Sequence, residues 1–419
     1  SWGNSPPPQY DYSKLGASWS TPRIIRIKVD GADRWVAVFG AGYNSGVAPE
    51  YGSAIYIMDL ENEGKILKVI DIKDNRNASH KYTFSVNKGI KEFQMSSYGL
   101  NSYNVNSQKL IVSGPGGISF GITQDINGST AQNIKIILEQ ELPVHTNFVV
   151  TVVNKEDIVN SLPADLTVIT ADGTDKANYD GALIYASDLE GKITKVNLTE
   201  NFTLNSEKMI DQSISQMTLF TAQANTSNGR YIYKKPSATI IDNNLWLYFG
   251  TGNTQKLEDA SSQIQNRLYG IKDKDFPNYV NRGVQNVSQC KTAPTCPGNT
   301  DLGWYVNLSN AKKLTAESTI HKDRVYFPLY EPSTSNVCGT GNAILTAYDA
   351  KCGNSVLNVN LGTGVLSKVV VDGDNLYIGI AGEADKNISG FTSTGNLITG
   401  KSKATGGAGK VQLEGWREN

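Results

Sequence analysis

The sequence predicts an all-β fold: a β-propeller of six or seven blades with an inserted β-rich segment at approximately residues 96–165. Three observations lead there. Short apolar runs ending in Gly or Asp recur along nearly the whole chain, with tight turns between them. Amphipathic helical periodicity is scarce. The 419 residues include 40 Gly and 39 Asn, and 20 Tyr against 11 Phe, a bias that suits many strands joined by turns, because Gly and Asn tolerate positive φ.

The elements follow in order. Residues 1–22, rich in Pro and Tyr, read as a linker and closure segment, and residues 23–419 as the propeller. The first repeat runs Val36-Ala37-Val38-Phe39-Gly40, then Ala54-Ile55-Tyr56-Ile57-Met58-Asp59, with Gly64 in the turn and residues 65–70 leaving it. A second is Ala182-Leu183-Ile184-Tyr185-Ala186-Ser187-Asp188, turning at Gly191 into KITKVNL. A third pairs residues 245–250 with 267–273, a fourth 325–327 with 343–349, and a fifth starts at 376–379 and turns at Gly395. Such a unit cannot bury both of its own faces, and radial stacking of sheets is how propellers remove their edges. The gaps imply one or two further blades; a pair of β-sandwiches is the alternative architecture. Residues 96–165 break the rhythm and read as a blade carrying an insertion. Closure is expected from the segment near Trp19 together with Val411 and Leu413 of a C-terminal strand.

Composition excludes several function classes. Charged residues make up 19%, and 39 basic against 40 acidic residues give a net charge of −1. Nucleic-acid binding needs clustered Lys and Arg, so no nucleic acid is expected as a partner. No segment reaches the roughly 18 apolar residues of a membrane helix. The N-terminus begins without Met or a signal peptide and reads as that of a processed or excised chain. Four cysteines, all in the last third, point to an oxidising compartment.

Several motifs have plain structural readings. Gly395-Asn396-Leu397-Ile398-Thr399-Gly400-Lys401-Ser402 fits a phosphate-loop pattern, but KATGGAG follows and cannot supply the helix such a loop needs. Gly40-Ala41-Gly42-Tyr43-Asn44-Ser45-Gly46 imitates a dinucleotide loop at the wrong spacing, so no nucleotide is expected. His80, His145 and His321 lack metal-ligand spacing, and Glu139 and Glu141 would share one strand face as solvated carboxylates. Cys290, Cys296, Cys338 and Cys352 lack the zinc-knuckle spacing and read as disulfides. Of three connectivities, the local pairs Cys290–Cys296 and Cys338–Cys352 are expected.

Seven segments together resemble the C-terminal domain of the PilC/PilY family, proteins associated with type IV pili. They are LGASWSTPRI (15–24), RWVAVFGAGYNSG (34–46), ALIYASDLEGKITKVNL (182–198), LWLYFGTGN (245–253), RLYGIKD (267–273), LGWYVNLSNAKKL (302–314) and GWRE (415–418). The resemblance implies a quinoprotein-like propeller outside the cell, supporting pilus assembly, retraction control and tip-associated adhesion without enzymatic activity. It implies as partners minor pilins at the pilus tip and a host or abiotic surface receptor, and an N-terminal adhesive domain removed or on another chain. It also suggests calcium in the loop 172–180. Asp172, Thr174 and Asp180 stand at ligand positions 1, 3 and 9, Lys176 opposes the ion at position 5, and Asp175 could substitute after reshaping. A plain surface turn is the other reading of that loop. Two other functions are weighed. A carbohydrate-binding propeller would use the same scaffold. A quinone-dependent dehydrogenase would call for a vicinal cysteine pair, which the chain lacks, so no quinone is expected.

Overall fold

The computed structural model describes residues 7–44, 51–73, 78–113, 120–154, 158–170, 181–205, 209–334 and 339–404. Among them the chain is all β, with three short 3-10 turns as its only helical segments. Strands follow one another as antiparallel meanders that stack as β-propeller blades. The first blade is Arg23–Val29, Ala32–Gly40, Ala54–Asp59 and Lys65–Asp71. The second is Thr167–Thr170, Ala182–Ser187, Lys192–Asn197 and Gln216–Thr221, and the third is Ser237–Ile241, Asn244–Gly250, Arg267–Asp273 and Gly303–Asn307. In the fourth, Thr319–His321, Arg324–Glu331, Asn342–Asp349 and Ser355–Leu366 pair in turn. The long strand Ser355–Leu366 also pairs with Asn375–Ala384, fusing the fourth blade to a fifth that contains Val370–Asp372, Leu397–Lys401 and Phe391–Thr394.

Both faces of the middle blades are buried, which is why their strands read as unbroken apolar runs. In the second blade Ala182, Ile184 and Ala186 face the first blade, while Leu183 and Tyr185 face the third. In the third, Leu245, Leu247 and Phe249 face back and Trp246 and Tyr248 forward. The fourth continues the pattern, with Val325, Phe327 and Leu329 facing back and Tyr326 forward to Ile378 and Ile398 of the fifth.

One hydrogen bond repeats between successive innermost strands. The first residue of each donates its hydroxyl to the main-chain carbonyl just before the first residue of the next. Thr167 reaches Pro236 at 2.6 Å, Ser237 reaches Ser318 at 2.6 Å, and Thr319 reaches Val369 at 2.7 Å. These bonds set each blade's height relative to its neighbour.

The described residues form five blades, and no apolar core among them joins the fifth to the first. Val411 and Leu413 lie outside the described residues; Trp19 stacks on Tyr43, its ring centre 6.0 Å away. Residues 7–22 do more than link. Tyr12 and Leu15 pack on Tyr56 and cover the outer face of the first blade, and Ala17 pairs with Tyr43.

The insertion is also larger at its start and shorter at its end than approximately 96–165. It lies between the first and second blades and forms a β-sandwich over residues 78–154. One sheet holds Ala78–Val86, Thr146–Asn154 and Gln108–Ser113; the other holds Glu92–Gln94, Thr130–Leu138, Ser102–Asn104 and Phe120–Asn127. Its core of Phe93, Met95, Ile136, Phe148 and Val150 is separate from those of the blades. Strand Ala78–Val86 belongs to the insertion because it pairs with Thr146–Asn154 along its whole length, a long-range pairing with no local signal. Beyond it, Leu162 and Leu166 already pack between the first two blades.

The repeated bond has a direct test. Thr319→Val keeps the shape but leaves the Val369 carbonyl without its donor, which should cost about 1–2 kcal/mol. Denaturant titration measures it, and hydrogen exchange should quicken in the strand Asn375–Ala384 while Ala182–Ser187 is unaffected.

Candidate functional site

The end of the propeller where each innermost strand begins, the entry face, gathers the charged and aromatic groups that the fold aligns. Two residues before each innermost strand stand Thr21, Asp165, Lys235, Glu317 and Lys368. They touch in series. The Thr21 main-chain N–H donates to Asp165 at 2.6 Å, Lys235 lies 3.3 Å from Asp165 and 3.7 Å from Glu317, and Lys368 lies 3.3 Å from Glu317. Burial alone would raise the Asp165 carboxyl, but the Thr21 N–H and Lys235 outweigh it and hold the group below its ordinary value. Alternating sign along the series neutralises each charge, so the string aligns strands and holds its side chains in ion pairs.

Beside it runs an aromatic shelf. Trp19 stacks on Tyr43, Tyr43 on Tyr233 at 6.4 Å between ring centres, and Tyr231 lies 6.3 Å from Tyr233. Trp19 is 61% exposed, an unusual position for so large an apolar ring. Tyr233 donates to the Asn253 side chain at 3.3 Å. Burial, then the neighbouring phenols Tyr43 and Tyr231, keep Tyr233 protonated well above the ordinary phenol range. The local chain makes this possible at Gly42, whose φ is +99° and where a side chain would meet the Ala17 carbonyl at 2.4 Å. Gly42 of the dinucleotide-like stretch therefore serves a main-chain crossing.

Lys313 anchors the loop next to the shelf. Its ammonium is fully buried and donates to the main-chain carbonyls of Leu257, Asp259 and Ala311. Burial lowers its pKa to about 8, against the opposing pull of Asp259 and Glu258.

Deeper ionic groups are structural. The Asp residues that end the repeated apolar runs accept main-chain N–H groups of the turns that follow: Asp59 from Glu61, Asp188 from Lys192, Asp273 from Asp275 and Asp349 from Lys351. Lys195 lies 2.6 Å from Asp273, to which Tyr185 also donates at 2.6 Å, tying the second blade to the third. Lys192 lies between Asp188 and Glu190 and donates to the Lys73 carbonyl, tying the second blade to the first. Burial would lower its pKa, and the two carboxylates together raise it.

The sequence-predicted sites fare unevenly. The calcium loop with Asp172, Thr174, Asp175 and Asp180 lies outside the described residues, as does Cys338. The local disulfides are overturned: Cys296 is bonded to Cys352, and Cys290 is a free thiol. Cys290 packs against the core between the second and third blades, and burial first, then Asp301, pushes its thiol up to about 12. Cys296, past the strand Cys290–Thr292, instead reaches the turn of the fourth blade, where Trp304 also donates to the Ala350 carbonyl. Of the histidines, His80 stands in the sandwich strand Ala78–Val86, His145 is exposed, and His321 lies 3.3 Å from Asp374. Glu139 and Glu141 do not share a strand face, because Thr130–Leu138 ends before both. Residues of the phosphate-loop pattern form the strand Leu397–Lys401, and the Ser402 hydroxyl lies 2.8 Å from that of Tyr326. The axial string was missed, although each charge stands two residues before a Ser, Thr or Val that opens a strand.

No known family and no curated protein matches the chain. Among solved structures, the computationally designed Ika8 protein aligns at a TM-score of 0.25 and 9% identity, over 92% of this chain and 83% of that one. The quinohemoprotein alcohol dehydrogenase from Comamonas testosteroni aligns at 0.22 and 9% identity, over 98% and 80%. These scores are too low to carry an argument.

Two outcomes check the site chemistry. Non-reducing peptide mapping should link Cys296 to Cys352, and replacing both by Ser should lower stability by about 4 kcal/mol, the chain-entropy value for a loop of this length. Because the folded pKa of Lys313 lies below its unfolded value, the unfolded chain binds the extra proton between about pH 8 and the ordinary lysine range. The stability of the native chain relative to Lys313→Met should therefore rise as pH increases through that window, measured by chemical denaturation.

Proposed function

We propose that this chain is a non-enzymatic, extracellular component of the type IV pilus machinery, acting in pilus assembly, retraction control and tip-associated adhesion. The observation that carries the proposal is how the PilC/PilY-like segments are distributed. As far as they are described, those at 15–24, 34–46, 182–198, 245–253, 267–273 and 302–314 fall on the blades or on the segment that covers the first blade, and none falls in the sandwich at 78–154; 415–418 lies outside the described residues. The propeller is then the shared pilus-facing scaffold and the sandwich a module for surface contact. The disulfide fits an oxidising location, and no helix among the described residues is long and apolar enough to cross a membrane. The buried Lys192 and Lys195 support the non-enzymatic part of the proposal, since both are held in bonds that tie one blade to the next.

A second reading, a carbohydrate-binding propeller, is favoured by the exposed Trp19 on its stack of tyrosines. Flat apolar ring faces suit the C–H faces of sugars as well as aromatic side chains.

Co-sedimentation with purified type IV pili separates these readings. The intact chain should sediment with the fibres, and a variant with 78–154 replaced by a short linker should sediment equally but lose attachment to the surface. Failure of the intact chain to sediment, together with saturable binding on a glycan array, would favour the carbohydrate reading.

A further inference from the structure

The sandwich leaves one strand at the margin of its core, joined to it through Phe120. Phe120–Asn127 pairs with Thr130–Leu138 along one side, and no described strand pairs with its other side. Apart from Phe120 and Gln124, every residue of it is exposed. Ile122 stands opposite Ile136 and Ile126 opposite Ala131, both core residues, so the two isoleucines point to the core side of their sheet. The second sheet has three strands against the four of theirs. Ile122 is left 39% and Ile126 59% exposed. Proteins commonly protect such an edge with Lys, Pro or a very short strand; this edge runs eight residues with neither, and its one charge is Asp125.

We propose that this edge pairs with the same strand of a second copy, antiparallel about Gln124. The sequence FGITQDIN is self-complementary in that register. Ile122 falls opposite Ile126 of the second copy, and Ile126 opposite Ile122, so the two overhangs form one apolar cluster beneath a continuous sheet. Asp125 falls opposite Thr123, which keeps like charges apart. The contact is isologous and closes as a two-fold dimer. It is independent of the pilus proposal.

The register is tested by charge exchange. At rising concentration the mass of the intact chain by light scattering should climb from 45.5 kDa towards twice that value. Ile126→Lys alone, or Ile122→Glu alone, places an unmatched charge in the apolar cluster at two symmetric positions and should weaken association by about tenfold or more. The double variant sets each Lys opposite a Glu of the other copy and should restore most of the affinity. Within one chain the two positions lie about 13 Å apart along the strand and cannot pair. Both positions are exposed, and circular dichroism should be unchanged. A monomer at every concentration overturns the proposal. So does a dimer indifferent to both single changes, or a double variant as weak as the singles. Loss of pilus co-sedimentation on Ile126→Lys in a chain that stays monomeric throughout would assign the edge to a foreign strand and also overturn it.

Discussion

The hydroxyl-to-carbonyl bond between neighbouring innermost strands is the constraint on which the other contacts of the blades depend. Thr167, Ser237 and Thr319 each fix the height at which the next blade begins. A strand slipped by one residue turns its whole side-chain set to the opposite face. Without a fixed height, Ile184 would not meet the first blade while Tyr185 met the third. The string from Asp165 to Lys368 lies one turn of chain away and follows the same order, so its ion pairs form only once that height is set. Half-buried pairs of this kind contribute modestly individually; their regular spacing reflects the bonds beneath them.

Burying sheets on both faces creates a second demand, because the turns at the ends of the blades bring polar groups inside. Aspartates at the ends of the apolar runs meet it by accepting turn N–H groups; Lys195 neutralises Asp273 across a blade boundary, and Lys192 neutralises Asp188 within the second blade. A buried carboxylate without such a partner would be strongly unfavourable. The disulfide between Cys296 and Cys352 acts at the opposite end of the third and fourth blades from Lys313, so each end of that pair has its own tether.

The sandwich stands apart from these demands. Its core is closed by its own two sheets, and it interrupts the propeller only between blades, where a long connection disturbs no strand pairing. That placement suits a module whose surface can vary while the scaffold is retained. The entry face offers a different kind of surface, in which Trp19 and Tyr43 are held by main-chain pairing of the N-terminal segment with the first blade.

The sequence by itself determined the fold class, most strand positions and the turns. Alternation, apolar runs and turn residues are local, and runs such as ALIYAS and LWLYFG announce burial on both faces without reference to any partner. The Asp-and-Gly signature that marks the repeats also has a local cause, the capping of a turn by the side chain that precedes it. Tertiary structure decided what depends on separations of tens of residues. The pairing of Cys296 with Cys352 spans 56 positions and hinges on which way the strand Cys290–Thr292 faces. The start of the insertion rests on Ala78–Val86 finding Thr146–Asn154. The shelf joins Trp19 to Tyr43 and Tyr233, and the string joins four charges supplied by four different blades. Each residue involved looks ordinary in its own neighbourhood, since its partner lies tens of residues away along the chain.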